Sequence, residues 1–438
     1  MGLPVFDWLS GYNRRNLKGD LVAGVTVGAM LIPQSMAYAL LAGLPPQIGL
    51  YSAVLPLIAY AAIGGSRQLG VGPTAISSLL TAAALANLSG GDARLAIELA
   101  GMLAIMVGLM RIALGVGRLG FLVSFLSRPV LSGFTSAAAL LIGASQPKHL
   151  LGVDLEHTER VHGIVAEAIG RIDEVQAATL VIGALAIALL AGLRRWRPTW
   201  PGALLVVALG TLAVAALQLD GHSVSVVGEI SGRLPTIGVP TAGLDHLSAL
   251  VPTALAITML GFVESIAIAQ VFAQRHRYTI RPNRELVALG ACTVAAGLTN
   301  GYAVSGSFSR TAVNAASGAR TQLAGVVSAG VVALTLVVLT PFFRPLPHAI
   351  LAAVVVMAVA GLVDVAEARR LWTVKRSDFW LLALAFGSTL ALGVELGLGI
   401  SVVASLAVIL HQTTRPNIAV LGQIPGTTEF RNVERSPS

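Results

Sequence analysis

Again and again along this chain about twenty residues pass with scarcely a charge among them, and that recurrence restricts the fold more than any other feature. About twenty apolar residues in a helix cross the hydrocarbon core of a bilayer. Inside lipid, every backbone N–H and C=O must find its partner within the protein, which leaves helices as the spanning element for runs of this length. Fourteen such segments lie near 20–41, 47–64, 73–88, 93–114, 118–146, 175–195, 200–218, 247–275, 283–299, 308–318, 322–340, 346–364, 378–391 and 395–413. The third and tenth are short and interrupted by Gly, Ser and Thr. Composition agrees: 55% of residues are hydrophobic and 11% charged, against about 25% charged in soluble domains. The chain reads as an all-α polytopic membrane protein, with one transmembrane domain over 20–413 between a short N-terminal segment, 1–19, and a C-terminal stretch, 414–438.

The charges orient it. Threaded through fourteen spans, nineteen Lys and Arg residues, from Arg14 through Arg111, Arg118 and Arg284 to Arg415, fall at one face, whereas Arg94, Lys148, Arg160, Arg171, Arg233 and Arg344 fall at the other. The positive-inside rule makes the first face cytoplasmic, with both termini there, in a cell (inner) membrane. The loops 147–174 and 219–246 then lie outside and carry most of the acids, Glu156, Glu229 and Asp245 among them. A net charge of +8 is therefore a topology signal and implies no nucleic acid, since the basic clusters lack interleaved aromatics. No cleaved signal peptide is needed. Cys292, the single cysteine, excludes a disulfide framework and a thiolate metal site. His149, His157, His162 and His222 lack tight ligand spacing, so neither metal nor cofactor is expected. Gly115-Val116-Gly117-Arg118-Leu119-Gly120 has a dinucleotide spacing but follows an apolar helix instead of a strand, and HExxH, P-loop and Gly-x-Ser-x-Gly signatures are missing. The chain does not read as an enzyme.

The two halves repeat. Gln34-Ser35-Met36-Ala37-Tyr38-Ala39 matches Glu264-Ser265-Ile266-Ala267-Ile268-Ala269 at an offset of 230, and Val71–Ser77 matches Val304–Arg310 in character near 234. Seven spans per half is odd, so the second half enters from the opposite side, and interrupted segments at matching positions point to a midplane site. Two half-helices meeting N-terminus to N-terminus make an anion cradle from free N–H groups and partial positive charge. Arg310 stands near the start of the second, where a charge is costly unless it is used or paired. Its planar fork suits carboxylate or sulfate, and Ser307, Ser309 and Thr311, flanking Phe308, add hydroxyls. Alternatively Arg310 pairs with Glu264 as a structural lock, which a bound anion would displace. Glu264, mid-span and the only acid placed deep in one, is a candidate carrier of a coupling proton, or else a buried structural acid. Gln34 and Tyr38, four apart, share a helix face.

Several long motifs resemble those of the sulfate permease family (SulP, solute carrier 26), membrane domain, as in a bacterial member: Leu17–Gly24 running on to Ile32-Pro33-Gln34-Ser35-Met36-Ala37-Tyr38 and Leu44-Pro45-Pro46-Gln47-Ile48-Gly49-Leu50-Tyr51, then Gly72-Pro73-Thr74-Ala75, Glu264–Ala267 and Ser305–Asn314. The resemblance implies a seven-plus-seven inverted repeat with a core domain (20–114 and 247–340) that moves as an elevator past a gate domain (118–218 and 346–413). It implies that Gln34, Tyr38, Ser309 and Arg310 contact a small anion opposite Pro73, Thr74, Ala75 and Ile76. It also implies a homodimer of the full-length form and a STAS domain, toward which Gly422–Arg431 resembles the linker. Sulfate, bicarbonate and dicarboxylates such as fumarate are all substrates within the family, driven by protons or by sodium, and some members are channels or uncoupled exchangers. Nucleobase permeases share the architecture but need acids at both half-helices, where this chain has Arg310.

Overall fold

The computed structural model describes residues 7–9, 12–121, 128–153, 167, 170–196, 201–219, 224–230, 232–241, 244–414, 421–423 and 430–432. Arg160, Glu156, His157, His162, His222 and Arg415, and most of the linker 422–431, lie outside them.

Each of the fourteen apolar segments contains a helix. The first half comprises α1 (Arg14–Leu41), α2 (Pro46–Tyr51), α3 (Leu55–Ile63), β1 (Gly70–Gly72), α4 (Ala75–Leu88), α5 (Ala93–Val116), α6 (Arg128–Ala144), α7 (Pro147–Leu151), α8 (Ala177–Trp196) and α9 (Gly202–Ala216). The second comprises α10 (Leu247–Arg275), α11 (Pro282–Leu298), β2 (Ser305–Ser307), α12 (Phe308–Ala316), α13 (Leu323–Leu334), α14 (His348–Val359), α15 (Val365–Val374), α16 (Arg376–Leu392) and α17 (Val394–Thr414), followed by β3 (Leu421–Gln423) paired with β4 (Phe430–Asn432). Segment two is broken at 52–54, and Pro56 restarts it as α3. The stretch between segments twelve and thirteen holds α15: Asp364 caps it by accepting from the Glu367 N–H, and Glu367 pairs with Arg370.

Seven described helices are long and apolar enough to cross a membrane, among them α1, α5, α8 and α10, and shorter apolar helices include much of α4, α9 and α17. The protein is a multi-pass membrane protein. Large apolar side chains such as Leu180, Val181, Leu185 and Leu189 of α8 point outward, as lipid contact requires of an outer helix.

Helix packing follows the repeat. Exchanging α1 for α10 and α13 for α5 maps one set of contacts on the other: α13 packs on α1 and α3, and α5 on α10 and α11. Lipid gives apolar side chains no drive to associate, so membrane helices gain from close backbone approach at small residues. Gly101 and Gly108 of α5 meet the carbonyls of Gly297 and Gly290 of α11, and Gly115 meets that of Asn283. These seven-residue steps make an antiparallel seam. A second group, α6 to α9 and α14 to α17, packs mainly on itself and touches the first through α1, α4 and α10.

Candidate functional site

Two extended triplets hold the site together. β1 and β2, one from each repeat, pair antiparallel with Gly70 opposite Ser307, Val71 opposite Gly306 and Gly72 opposite Ser305. Each runs straight into a half-helix, α4 or α12, so the two helix N-termini meet inside the protein. Thr74 caps α4, accepting from the Ser77 N–H. Ser307 at the corresponding position of α12 forms no side-chain cap, and the first four N–H groups of a helix have no intrahelical acceptor.

Side chains of α12 lace it to the segment ahead of α4. Arg310 donates from Nη1 to the Pro73 carbonyl at 2.8 Å. The Thr311 hydroxyl accepts from the Gly70 N–H at 3.0 Å and donates to the Ser307 carbonyl at 2.6 Å, so its proton is already engaged. Asn314 donates to the Gln68 carbonyl at 3.0 Å. Gly72 stands at φ +152°, where an L side chain rarely sits, and a Cβ there would meet Leu31 Cδ1 at 3.3 Å and Arg310 Nη2 at 3.5 Å. From α10, Ser265 accepts from the Gly306 N–H at 2.8 Å while donating to the Gly261 carbonyl. Helix α1 passes beside both half-helices and carries Gln34 and Tyr38, 6% and 8% exposed.

The guanidinium of Arg310 is fully buried, yet among the described residues Nε and Nη2 have no protein partner; nor do Gln34 Oε1 and Ser35 Oγ. Leaving a buried polar group unsatisfied costs about 1–3 kcal/mol, more when it is charged, which sets Arg310 apart from a cation whose donors all meet protein acceptors. Tyr38 and Glu264 lie within electrostatic reach of Arg310. Among the described residues no ion pair joins Arg310 to Glu264, so the lock considered from sequence is not formed here. Glu264 is partly exposed, Thr74, Ala75 and Ile76 are buried, and Phe308 and Ser309 are exposed at the first turn of α12, where the Ser307 and Ser309 hydroxyls lie 3.2 Å apart. An open groove of about 540 Å³ along α8 and α9 is lined by exposed apolar side chains such as Val181, Leu185 and Leu209. It offers no donor to an anion. No group of three or more potential ligands fit to hold a metal occurs among the described residues.

One sequence expectation needs correction. Arg111, assigned to the cytoplasmic face, is fully buried inside α5, so Arg310 is not the one cation within a membrane segment. Two acids at segment starts are also buried: Asp20, first in segment one, accepts from the Arg320 and Thr321 N–H groups and the Thr321 hydroxyl, and Glu285, third in segment nine, accepts from the Tyr60 hydroxyl and the Gly65 N–H, each at 2.7 Å. Arg111 carried the signal already used for Glu264, apolar neighbours on both sides, but its place three residues from a segment end disguised it.

The sequence pattern that defines the sulfate permease family matches residues 17–385. The chain is 41% identical over 445 residues to "Sulfate transporter 4.1, chloroplastic" of Arabidopsis thaliana, covering 99% of this chain and 64% of that protein. It is 40% identical over 429 residues to "Probable sulfate transporter Rv1739c" of Mycobacterium tuberculosis, covering 97% and 76%. Thus it spans about two thirds of the length of the plant relative. Among solved structures, the murine solute carrier 26 member A9 anion transporter in its inward-facing state superposes with a TM-score of 0.90 at 25% identity, over 99% of this chain and 75% of that one. The transmembrane domain of the cyanobacterial bicarbonate transporter BicA gives 0.78 at 25%, over 90% and 98%. With that likeness the expected fold class holds: an all-α membrane fold in a seven-plus-seven inverted repeat.

Proposed function

The chain belongs to the sulfate permease family, and on that premise we propose that it is a secondary active transporter of small anions, with its substrate held between the N-termini of α4 and α12. The observation that carries this reading is Arg310, fully buried with two donors idle at the point where two uncapped or side-chain-capped helix starts converge. An oxyanion that presents two oxygens side by side, such as sulfate, bicarbonate or the carboxylate of fumarate, accepts from both idle donors, with N–H groups of the half-helices completing its shell. Gln34 and Tyr38 close the site from α1, the amide being free to turn either end toward the ligand.

The spans α1–α5 and α10–α13 form the core that carries the anion, and α6–α9 with α14–α17 form the gate it slides past. Such an elevator keeps the bound anion away from lipid, whose contact a charge cannot tolerate. Glu264 is the coupling group: a proton on it offsets the anion's charge during the crossing. In this reading both termini are cytoplasmic, the inner membrane is the host, and the full-length protein is a homodimer. The relatives named sulfate transporters and the bicarbonate transporter favour an oxyanion, but one architecture serves several substrates.

The test is flux into proteoliposomes for sulfate, bicarbonate, chloride and fumarate, with proton and sodium gradients varied separately. Saturable uptake of an oxyanion that rises with an inward proton gradient is expected, and Glu264→Gln should lose the pH dependence while keeping exchange between preloaded vesicles. Sodium-driven, pH-indifferent uptake would make Glu264 a cation ligand instead. Large single-channel currents in planar bilayers would replace the transporter by a channel.

A further inference from the structure

Four charged side chains are fully or almost fully buried among the described residues: Asp20, Arg111, Glu285 and Arg310. Three are accounted for. Asp20 and Glu285 take charge-assisted hydrogen bonds from several donors, and Arg310 faces the proposed anion. Arg111 has no such partner. Its fork donates only to neutral oxygens: Nη1 to the Thr293 hydroxyl at 2.9 Å and the Val304 carbonyl at 2.8 Å, Nη2 to the Ile257 carbonyl at 2.9 Å and the Ser305 hydroxyl at 3.3 Å. Nε has no acceptor, and no carboxylate forms an ion pair with Arg111 among the described residues.

An unpaired charge in a dry interior costs several kcal/mol to bury, and a neutral side chain of similar size would fill the same space without that cost. The position of Arg111 indicates what the charge is for. Two of its four acceptors, Val304 and Ser305, belong to β2 or its approach, the strand that runs into α12 and Arg310. The Ser305 hydroxyl in turn lies 3.3 Å from that of Ser77 in the first turn of α4. Ile257 and Thr293 anchor the fork to α10 and α11, and Gly261 leaves room for it: a Cβ there would collide with Arg111 Nη2 and Ser305 Oγ. Arg111 thus stands against β2, the strand that leads into the half-helix of Arg310, and reaches α4 through one shared hydroxyl, that of Ser305.

We propose that Arg111 is a positioning residue that also sets the charge preference of the anion site: it fixes β2, and its uncompensated charge biases the site toward anions of higher charge. The inference rests on the anion-site reading above. A fixed charge stabilises a ligand in proportion to the ligand's own charge, and inside the protein salt screens it little. A dianion therefore gains about twice what a monoanion gains, whereas a purely structural arginine would affect both alike.

The experiment measures binding of inorganic sulfate and of chloride to the purified chain by titration calorimetry, in wild type, Arg111→Gln, Arg111→Lys, Gly261→Ala and Arg310→Ala. Arg111→Gln should lower the sulfate-to-chloride affinity ratio on the order of tenfold. Arg111→Lys, which keeps the charge and loses the fork, should hold the ratio within about threefold even if both affinities drop. Gly261→Ala, which crowds the fork without removing charge, should weaken both anions by similar factors. A ratio unchanged in Arg111→Gln, or lost in Arg111→Lys or Gly261→Ala, overturns the proposal; if Arg111→Gln does not fold, Arg111→Met, a second neutral variant, is read by the same ratio. Undiminished sulfate binding by Arg310→Ala would instead overturn the anion-site reading.

Discussion

Replacing Arg310 by alanine removes three things at once: the charge, the two idle donors and the bond to the Pro73 carbonyl. Hydrogen bonds to a charged group contribute about 1.5–3 kcal/mol each, and truncating one partner of a desolvated charge pair costs roughly 2–5 kcal/mol. At 1.4 kcal/mol per tenfold, that is a loss of about 30-fold to several thousand-fold in anion affinity. Folding suffers less, because only the Pro73 carbonyl is orphaned, at about 1–3 kcal/mol. Arg310→Lys separates charge from geometry: an ammonium is a point donor that cannot serve Pro73 and a two-oxygen ligand together, so its affinity should fall between wild type and alanine. The assay is initial uptake of the transported oxyanion into proteoliposomes carrying equal amounts of folded protein, at substrate well below half-saturation. Uptake by Arg310→Ala within about threefold of wild type would refute the assignment, since no reading with Arg310 on the anion survives so small a change.

Gly70→Ala places a Cβ 2.7 Å from Arg310 Cβ and 3.2 Å from its carbonyl carbon; β1 must move off α12, at roughly 1–3 kcal/mol of overpacking, and sulfate binding by calorimetry should weaken by about tenfold or more while the detergent-solubilised protein stays folded. Burial, with Lys148 and then His348 adding to it, pushes the His149 imidazole in α7 down to about 4 from its ordinary 6.5. Between those values the unfolded chain takes up a proton that the folded chain refuses, so stability falls as pH drops from 6.5 toward 4 and is unaffected above 6.5. His149→Phe should shrink the difference in apparent Tm between neutral and acid buffer, and an undiminished difference would remove His149 as its source.

The number of spans, their helical nature, the break at the third and tenth, and the internal repeat were legible because each depends on local composition. Lipid forces a run of apolar residues to form helix whatever surrounds it, and Gly, Pro and Ser interrupt that helix wherever they fall. Arg310 was legible too, as a charge beside a helix break that repeats at Pro73. What sequence could not supply was the partner of each polar group. Arg111 and Arg310 are alike as cations within membrane segments, yet one spends its fork on four neutral oxygens and the other, among the described residues, leaves two donors without a protein acceptor. The same holds for the acids: Asp20 and Glu285 are satisfied by donors some 300 and more than 200 residues away along the chain, while Glu264, the one singled out by its place mid-span, makes no ion pair with Arg310 among the described residues. Which charge is anchored and which is available depends on contacts between distant segments, and these exist only once the two inverted halves have closed on each other and the β1–β2 ladder has formed.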